Sequence, residues 1–373
     1  MDNLRNIDEE SIKQEFAELV AMDSVSFSER QIADCLTEKL KSLGFTVTED
    51  EAGKIYRGNA GNLYGFLKGT LPGKPVLLSA HMDTVQPGIG KKAIFTQEGM
   101  ITSHGDTVLG ADDLAGIVEI LEAVRFLQRN RLPHRDVEIL FPIGEEAYIK
   151  GTNVFDFKKI RAKEAYVLDM SGKVGKAAVQ APSIISFEVE IQGRAAHAGF
   201  EPQRGIHAIS IMSKAIARIP QGKREDGTTF NIGTICGGEA VNIVPEICRC
   251  TGEIRSYDHQ AAIACMEQTK QIFMESACEV GAHCSVEHHV NAVAYQIDKD
   301  ASVVKRFERS CKVLGIEPEL VTTFGGSDNN NFVRHGIQGV VLSCGMFQVH
   351  STKEYALIEE LKKGAALVAE LIR

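Results

Sequence analysis

Pro75-Val-Leu-Leu-Ser-Ala-His81-Met-Asp83-Thr-Val85 is a short apolar run that ends in a histidine and an aspartate. Val76, Leu77 and Leu78 are continuous rather than alternating, which predicts a strand buried on both faces of a parallel sheet. His81 and Asp83 then fall just past its carboxyl end, where open α/β sheets place their ligands. The pattern recurs along the chain. Ile139-Leu140-Phe141 leads to Glu145 and Glu146, Tyr166-Val167-Leu168 runs into Asp169, and Val340-Val341-Leu342 precedes His350. Asp112 and Asp113, in GADDLAG, open a segment with helical spacing of Ile117, Leu121 and Val124.

Five or six carboxylates and two imidazoles in one crevice are costly without cations, because an unpaired buried charge is strongly disfavoured. Two divalent metal ions would neutralise them, and oxygen donors mixed with imidazole, with no cysteine among them, suit Zn, Co or Mn. In this reading Asp83 hydrogen-bonds the His81 nitrogen that faces away from a metal, Asp112 bridges two ions, and Glu146 is a ligand. Glu145 stays unligated as the general base and acid. Each residue also has a plainer reading: a satisfied buried histidine at 81, an N-cap pair at 112 and 113, solvated glutamates at 145 and 146, a loop aspartate at 169 and a capping histidine at 350. Their joint occurrence at strand ends favours a metal centre.

The chain of 373 residues is long enough for two domains. With 50 Asp+Glu against 41 Lys+Arg, a formal charge of −9 and no basic stripe, nucleic acid and anionic membrane are poor partners. No apolar run approaches the roughly 18 residues of a membrane span. The opening MDNLRNIDEE lacks the basic start and apolar stretch of a signal peptide. Nine scattered cysteines without a Cys-x-x-Cys fit a reducing, cytoplasmic setting.

Ser28-Glu-Arg-Gln31 has the form of a capping box before a helix ended by Gly44, and Ser351-Thr-Lys-Glu354 predicts another that opens the last helix and puts His350 at its entrance. Between about 181 and 294 the character changes. Phe187, Val189 and Ile191 alternate with Glu188, Glu190 and Gln192, as in a half-buried antiparallel strand. The predicted order there is β-α-β-β-α-β, a ferredoxin-like unit inserted as a lid. The expected fold is therefore α/β: a mixed-sheet dinuclear metallohydrolase domain over 1–180 and 295–373, with the lid over 181–294.

At these residues the chain resembles the M20 family of dinuclear metallopeptidases, on its peptidase T-like branch. The shared motifs, in order, are H-x-D at 81–83, ADD at 111–113, GEE at 144–146, Asp169, GRAAHAG at 193–199, VNIVP at 241–245, EIRS at 253–256, GGSD at 325–328 and His350. The resemblance implies one ion held by His81, Asp112 and Asp169 and another by Asp112, Glu146 and His350. It implies that Asp83 orients His81, and that Glu145 is the general base. It also implies that His197, Asn242 and Arg255 hold the scissile carbonyl or a substrate carboxylate, and that Gly325 and Gly326 let substrate backbone approach. Two positions depart from the family pattern: Leu114 stands where many members carry Lys, and Tyr148 where a Gly is common.

The expectation is a cytoplasmic, metal-dependent enzyme, most simply an aminopeptidase acting on short peptides of the tripeptidase type, with Zn as the first choice of metal and a homodimer through the lid. An N-acyl amino acid deacylase or carboxypeptidase of the same family, and a non-catalytic metal-stabilised peptide-binding protein, are the alternatives.

Overall fold

The four apolar runs lie side by side in the middle of a nine-stranded sheet. Its order is Thr46–Glu49, Leu63–Leu67, Val137–Phe141, Val76–Ser79, Glu164–Met170, Gln338–Ser343, Lys176–Ala181 and Tyr295–Gln296, with Glu319–Thr322 paired to Lys176–Ala181. The structure is a computed structural model that describes residues 7–373; the first six, part of the opening read for a leader, lie outside the described residues. Val76–Ser79 pairs in parallel with both Val137–Phe141 and Glu164–Met170, and Gln338–Ser343 pairs in parallel with Glu164–Met170. The registers set Ser79 opposite Leu140 and Val167, so these parallel strands run in step toward one edge of the sheet, with Glu164–Met170 extending three residues further. Leu63–Leu67 and Lys176–Ala181 run antiparallel to their inner neighbours, which makes the sheet mixed.

Every residue of Val76–Ser79 and Val137–Phe141 is buried. A fully buried Val, Leu or Ile contributes roughly 1.5–3 kcal/mol relative to exposure, so these runs anchor the sheet. Behind it the helix Ala111–Arg129 is buried nearly all round and packs on Ile358–Leu371. A small four-stranded sheet, in the order Met346–Phe347, Tyr355–Leu357, Met100–Ser103 and Ala93–Phe95, carries His350 on the turn between its first two strands.

Two local expectations fail. The helix Arg30–Ser42 does end as foreseen, with Gly44 at φ +83°. Its N-cap, however, is Glu29, which makes no side-chain cap; the carboxylate instead accepts from Phe27 N and Gly144 N. The last helix starts at Ile358, not at Ser351, because Tyr355–Leu357 pairs with Met100–Ser103 as a strand and the chain cannot be helical there. His350 therefore sits in a left-handed turn, φ +60°, rather than at a helix entrance.

By its contacts the chain divides into two units. The larger runs to Gln180 and takes in Gln296–Thr323 and Ser327–Arg373; the smaller is Ala181–Tyr295 with Phe324–Gly326. In the smaller unit a five-stranded antiparallel sheet has the order Gly222–Lys223, Thr229–Gly237, Ile247–Ser256, Ser183–Gln192 and His283–Ala292. Helices Ala208–Ala217 and His259–Cys278 cover one face, and Phe187, Val189, Ile191, Met212, Phe230 and Phe273 form its core. Phe324–Gly326 joins this unit through Arg255 Nη1, which donates to Phe324 O at 2.7 Å, and through the Tyr257 ring, edge-on to Phe324.

Candidate metal centre

The site is built from the ends of the central strands and two loops of the larger unit. His81, one residue past Ser79-Ala80, is 1% exposed, and its Nδ1 lies 2.9 Å from the main-chain oxygen of Asp83. The Asp83 carboxylate is 3.5 Å away from the same nitrogen. It is occupied elsewhere, accepting from Ser26 Oγ at 2.7 Å, Glu145 N at 2.9 Å and Glu146 N at 3.2 Å. Asp83 thus orients the imidazole through its backbone and the two glutamates through its side chain. Nδ1 is the donor in this arrangement, which leaves Nε2 as a lone-pair donor to a cation.

Asp112 lies between the two imidazoles. Its Oδ1 is 3.2 Å from His81 Nε2 and its Oδ2 is 3.3 Å from His350 Nε2. Asp169, near the end of its strand, brings Oδ1 to 3.8 Å from His81 Nε2, and Glu146 Oε1 is 2.9 Å from His350 Nε2. Two overlapping triads result, His81–Asp112–Asp169 and Asp112–Glu146–His350, each with ligand atoms within 4.8 Å of one another. Asp113 faces the other way: its Oδ2 accepts from His81 N and its Oδ1 from Gly116 N, both at 3.2 Å. Asp112 and Asp113 have non-helical backbone angles and are joined by a cis peptide.

The electrostatics describe a place for cations. Burial first, and neighbouring carboxylates second, push the carboxyls of Asp169, Asp113 and Glu145 well above their usual range. His350 is raised to about 10 by its hydrogen bonds to Asp112 and Glu146. Burial pulls His81 down, but its bonds to Asp112 and Asp83 outweigh that and raise it. These shifts share one cause, acidic groups crowded in a buried place, where a cation offsets their repulsion. One imidazole and two carboxylates in each triad, with no thiolate, form a donor set that fits a Zn-, Co- or Mn-type ion.

Glu145 is 8% exposed and belongs to neither triad. His197, Asn242 and Arg255 belong to the smaller unit, as do Gly325 and Gly326. His197 is exposed, and its Nδ1 accepts from Gly199 N and Phe200 N at 3.1 Å each, so its Nε2 carries the hydrogen. Asn242 O accepts from Ala198 N at 2.9 Å, tying the two loops together. The Arg255 guanidinium is engaged by Glu253 at 2.6 Å as well as by Phe324 O.

Three supporting residues escaped the reading of the sequence. Ser26 and Glu29 left no local signal, since they meet Asp83 and Gly144 only through folding. Glu354 was visible four residues past His350, but the capping-box pattern absorbed it. Its carboxylate instead accepts from Gly110 N and Asp112 N. The Tyr148 departure has a backbone meaning: φ is +71° there, the left-handed region that favours glycine.

Comparison with known proteins agrees with this architecture. Residues 180–279 match the Peptidase dimerisation domain of the M20 peptidases, and residues 62–201 match Peptidase family M28. The crystal structure of aminopeptidase PepT from Bacillus cereus ATCC 10987 is 38% identical, covers 98% of each chain and superposes with a TM-score of 0.89. That of a tripeptidase from Staphylococcus aureus subsp. aureus Mu50 is 34% identical, again over 98% of each chain, with a TM-score of 0.93. Uncharacterized protein YqjE of Bacillus subtilis (strain 168) is 37% identical over 366 residues, 98% of both chains. These matches define the class, a peptidase whose α/β domain carries an inserted dimerisation domain. Within that class the chain belongs to the M20 family, on its peptidase T-like branch.

Proposed function

We propose that this chain is a dinuclear metallo-aminopeptidase that releases the N-terminal residue of tripeptides. The observation that carries the reading is Asp112, which offers one oxygen to each imidazole, while Glu145, buried next to Glu146, belongs to neither triad among the described residues. A site that only ordered the fold would have no use for a buried carboxylate outside both triads.

His81, Asp112 and Asp169 would hold one divalent ion, and Asp112, Glu146 and His350 the other. When bound, such ions supply Lewis acidity to the water and to the scissile carbonyl. The chain's own groups do the rest. Asp83 holds the main chain of Glu145 and Glu146 at fixed positions, Glu145 takes the proton of the attacking water, and the same carboxyl returns it to the leaving amine. The Nε2 hydrogen of His197 suits a carbonyl oxygen that gains negative charge. Asn242, Arg255, Gly325 and Gly326 are the further substrate contacts in this reading, with Arg255 sharing its guanidinium between Glu253 and a substrate carboxylate.

We further place the enzyme in the cytoplasm as a homodimer joined through the 181–294 domain. No helix among the described residues is long and apolar enough to cross a membrane, and all nine cysteines are free. Light scattering on the purified chain tests the dimer, and a monomer at micromolar concentration would sink it.

The activity is tested on a matched panel of free tripeptides, dipeptides, N-terminally blocked peptides and N-acetyl amino acids. Turnover confined to unblocked tripeptides, lost on chelation and restored by Zn, Co or Mn, is the expected result. Cleavage of blocked substrates in their place overturns the aminopeptidase assignment.

A further inference from the structure

We propose that Glu354 is a positioning residue that sets Asp112 and His350 together and so tunes cation affinity at the Asp112–Glu146–His350 triad. The proposal rests on the metal-centre reading above.

Asp112 needs an outside anchor. It begins a helix, yet its backbone angles (φ −85°, ψ 98°) and those of Asp113 (φ −123°, ψ 35°) are not helical. The first helical bond, Leu114 N to Gly110 O at 3.3 Å, passes over it. Nothing in the helix itself therefore decides where the Asp112 carboxylate points. Glu354 does, because its Oε1 accepts from Asp112 N at 2.9 Å and its Oε2 from Gly110 N at 2.7 Å, in a place where the residue is 2% exposed. A carboxylate is an acceptor at both ends, so it satisfies two converging N–H groups that no amide could satisfy together.

The other end of the tether is the turn that carries His350. Gln348 and His350 both have positive φ, +51° and +60°, and such strain in non-glycine residues persists only where surrounding contacts over-determine it. Here Ser351 Oγ donates to Gln348 O at 2.7 Å, Lys353 N donates to Ser351 Oγ at 3.2 Å, and Glu354 N donates to Ser351 O at 3.1 Å. Glu354 closes this turn and carries it to the Asp112 loop, across 242 residues of sequence. Asp112 and His350 are two of the three members of one triad. The other triad shares only Asp112 with it; there His81 has its own supports in Asp83 O and Asp113, and Asp169 is held by a sheet strand. Loss of Glu354 is thus felt unequally.

The test uses metal-stripped parent, Glu354→Gln and Glu354→Ala, titrated with Zn against a chromophoric chelator. The expected parent result is two ions. Glu354→Gln weakens the ion of the Asp112–Glu146–His350 triad by about 10- to 100-fold, the usual effect of removing a partner of a ligand, and the ion of the other triad, which shares only Asp112, by less. Glu354→Ala weakens the first of these at least as much. At saturating Zn the kcat of Glu354→Gln recovers toward the parent with KM unchanged, which a merely structural role would not give. Should Glu354→Ala fail to fold, Glu354→Gln, checked by circular dichroism, carries the test alone. Two ions bound as tightly by the folded variant as by the parent, or equal weakening of both ions, overturns the proposal and leaves the metal centre standing. A parent that takes up fewer than two ions overturns the metal-centre reading, and this proposal with it.

Discussion

Glu145 and Glu146 are neighbours in sequence with different surroundings, and the proposed function gives them opposite tasks for that reason. Glu146 Oε1 points at His350 Nε2, 2.9 Å away, whereas Glu145 is buried beside Asp169 without a place in either triad. Glu145→Gln should therefore lower kcat by about 100- to 10,000-fold, as loss of a general base does, while both ions remain bound. Metal analysis alongside steady-state kinetics checks this, and near-parental turnover would remove Glu145 from the mechanism.

Away from the site, Glu119 is 1% exposed and its Oε1 has no hydrogen-bond partner among the described residues. Burial first, and Glu360 second, raise its pKa well above the ordinary 4.5. The native chain then holds a proton that the unfolded chain has released, so this residue costs stability increasingly as pH rises above 4.5. Glu119→Gln should melt above the parent at neutral and alkaline pH, with the gap closing toward about pH 4. A gap that does not change with pH in thermal melts contradicts the shift.

At the scale of elements, the helix Ala111–Arg129 and the strand Glu164–Met170 deliver Asp112, Asp113 and Asp169 only because they approach closely. Gly116 is the point of approach: a Cβ there would lie 2.5 Å from Leu168 O and 2.6 Å from Asp113 Oδ1. Gly116→Ala must push the helix from the strand, at a cost of about 1–3 kcal/mol as for other overpacked sites. It should also weaken metal binding, because Asp113 no longer seats His81. Chemical denaturation and Zn titration read both effects, and an unchanged midpoint would show that the helix yields freely.

Element types were legible where periodicity was long and unbroken. The four buried runs became neighbouring strands, and the alternation at 187–192 became a strand with one face covered by helices. The capping box at 28–31 is displaced by one residue, with Glu29 rather than Ser28 at the helix start, and the one at 351–354 misled for a tertiary reason. A Ser-x-x-Glu or Ser-x-x-Gln pattern competes with tertiary partners, and Glu354 gains two buried N–H groups at Asp112 and Gly110 that a helix cap could not offer it.

For the whole molecule, the two units have separate cores, and the apparent metal ligands all belong to the larger one. A ligand that binds only the native state stabilises by RT ln(1 + [L]/Kd), about 2.7 kcal/mol at a hundredfold excess over Kd. Calorimetry should therefore show a transition that chelation lowers and Zn restores, and a second that responds to neither, belonging to the 181–294 domain. Both transitions moving equally with metal would mean that the two cores unfold as one.

The sequence by itself determined the buried strands, the set of acidic and imidazole groups beside them and the inserted domain, because burial on both faces and alternation on one face are written in consecutive side chains. Only the tertiary structure decided which group meets which. Asp83 turns its carboxylate to Glu145 and Glu146 and its carbonyl to His81, Glu354 crosses to Asp112, and His350 takes a left-handed turn. These choices are settled by partners that lie far away along the chain, and no local pattern of polarity encodes a hydrogen bond of that reach.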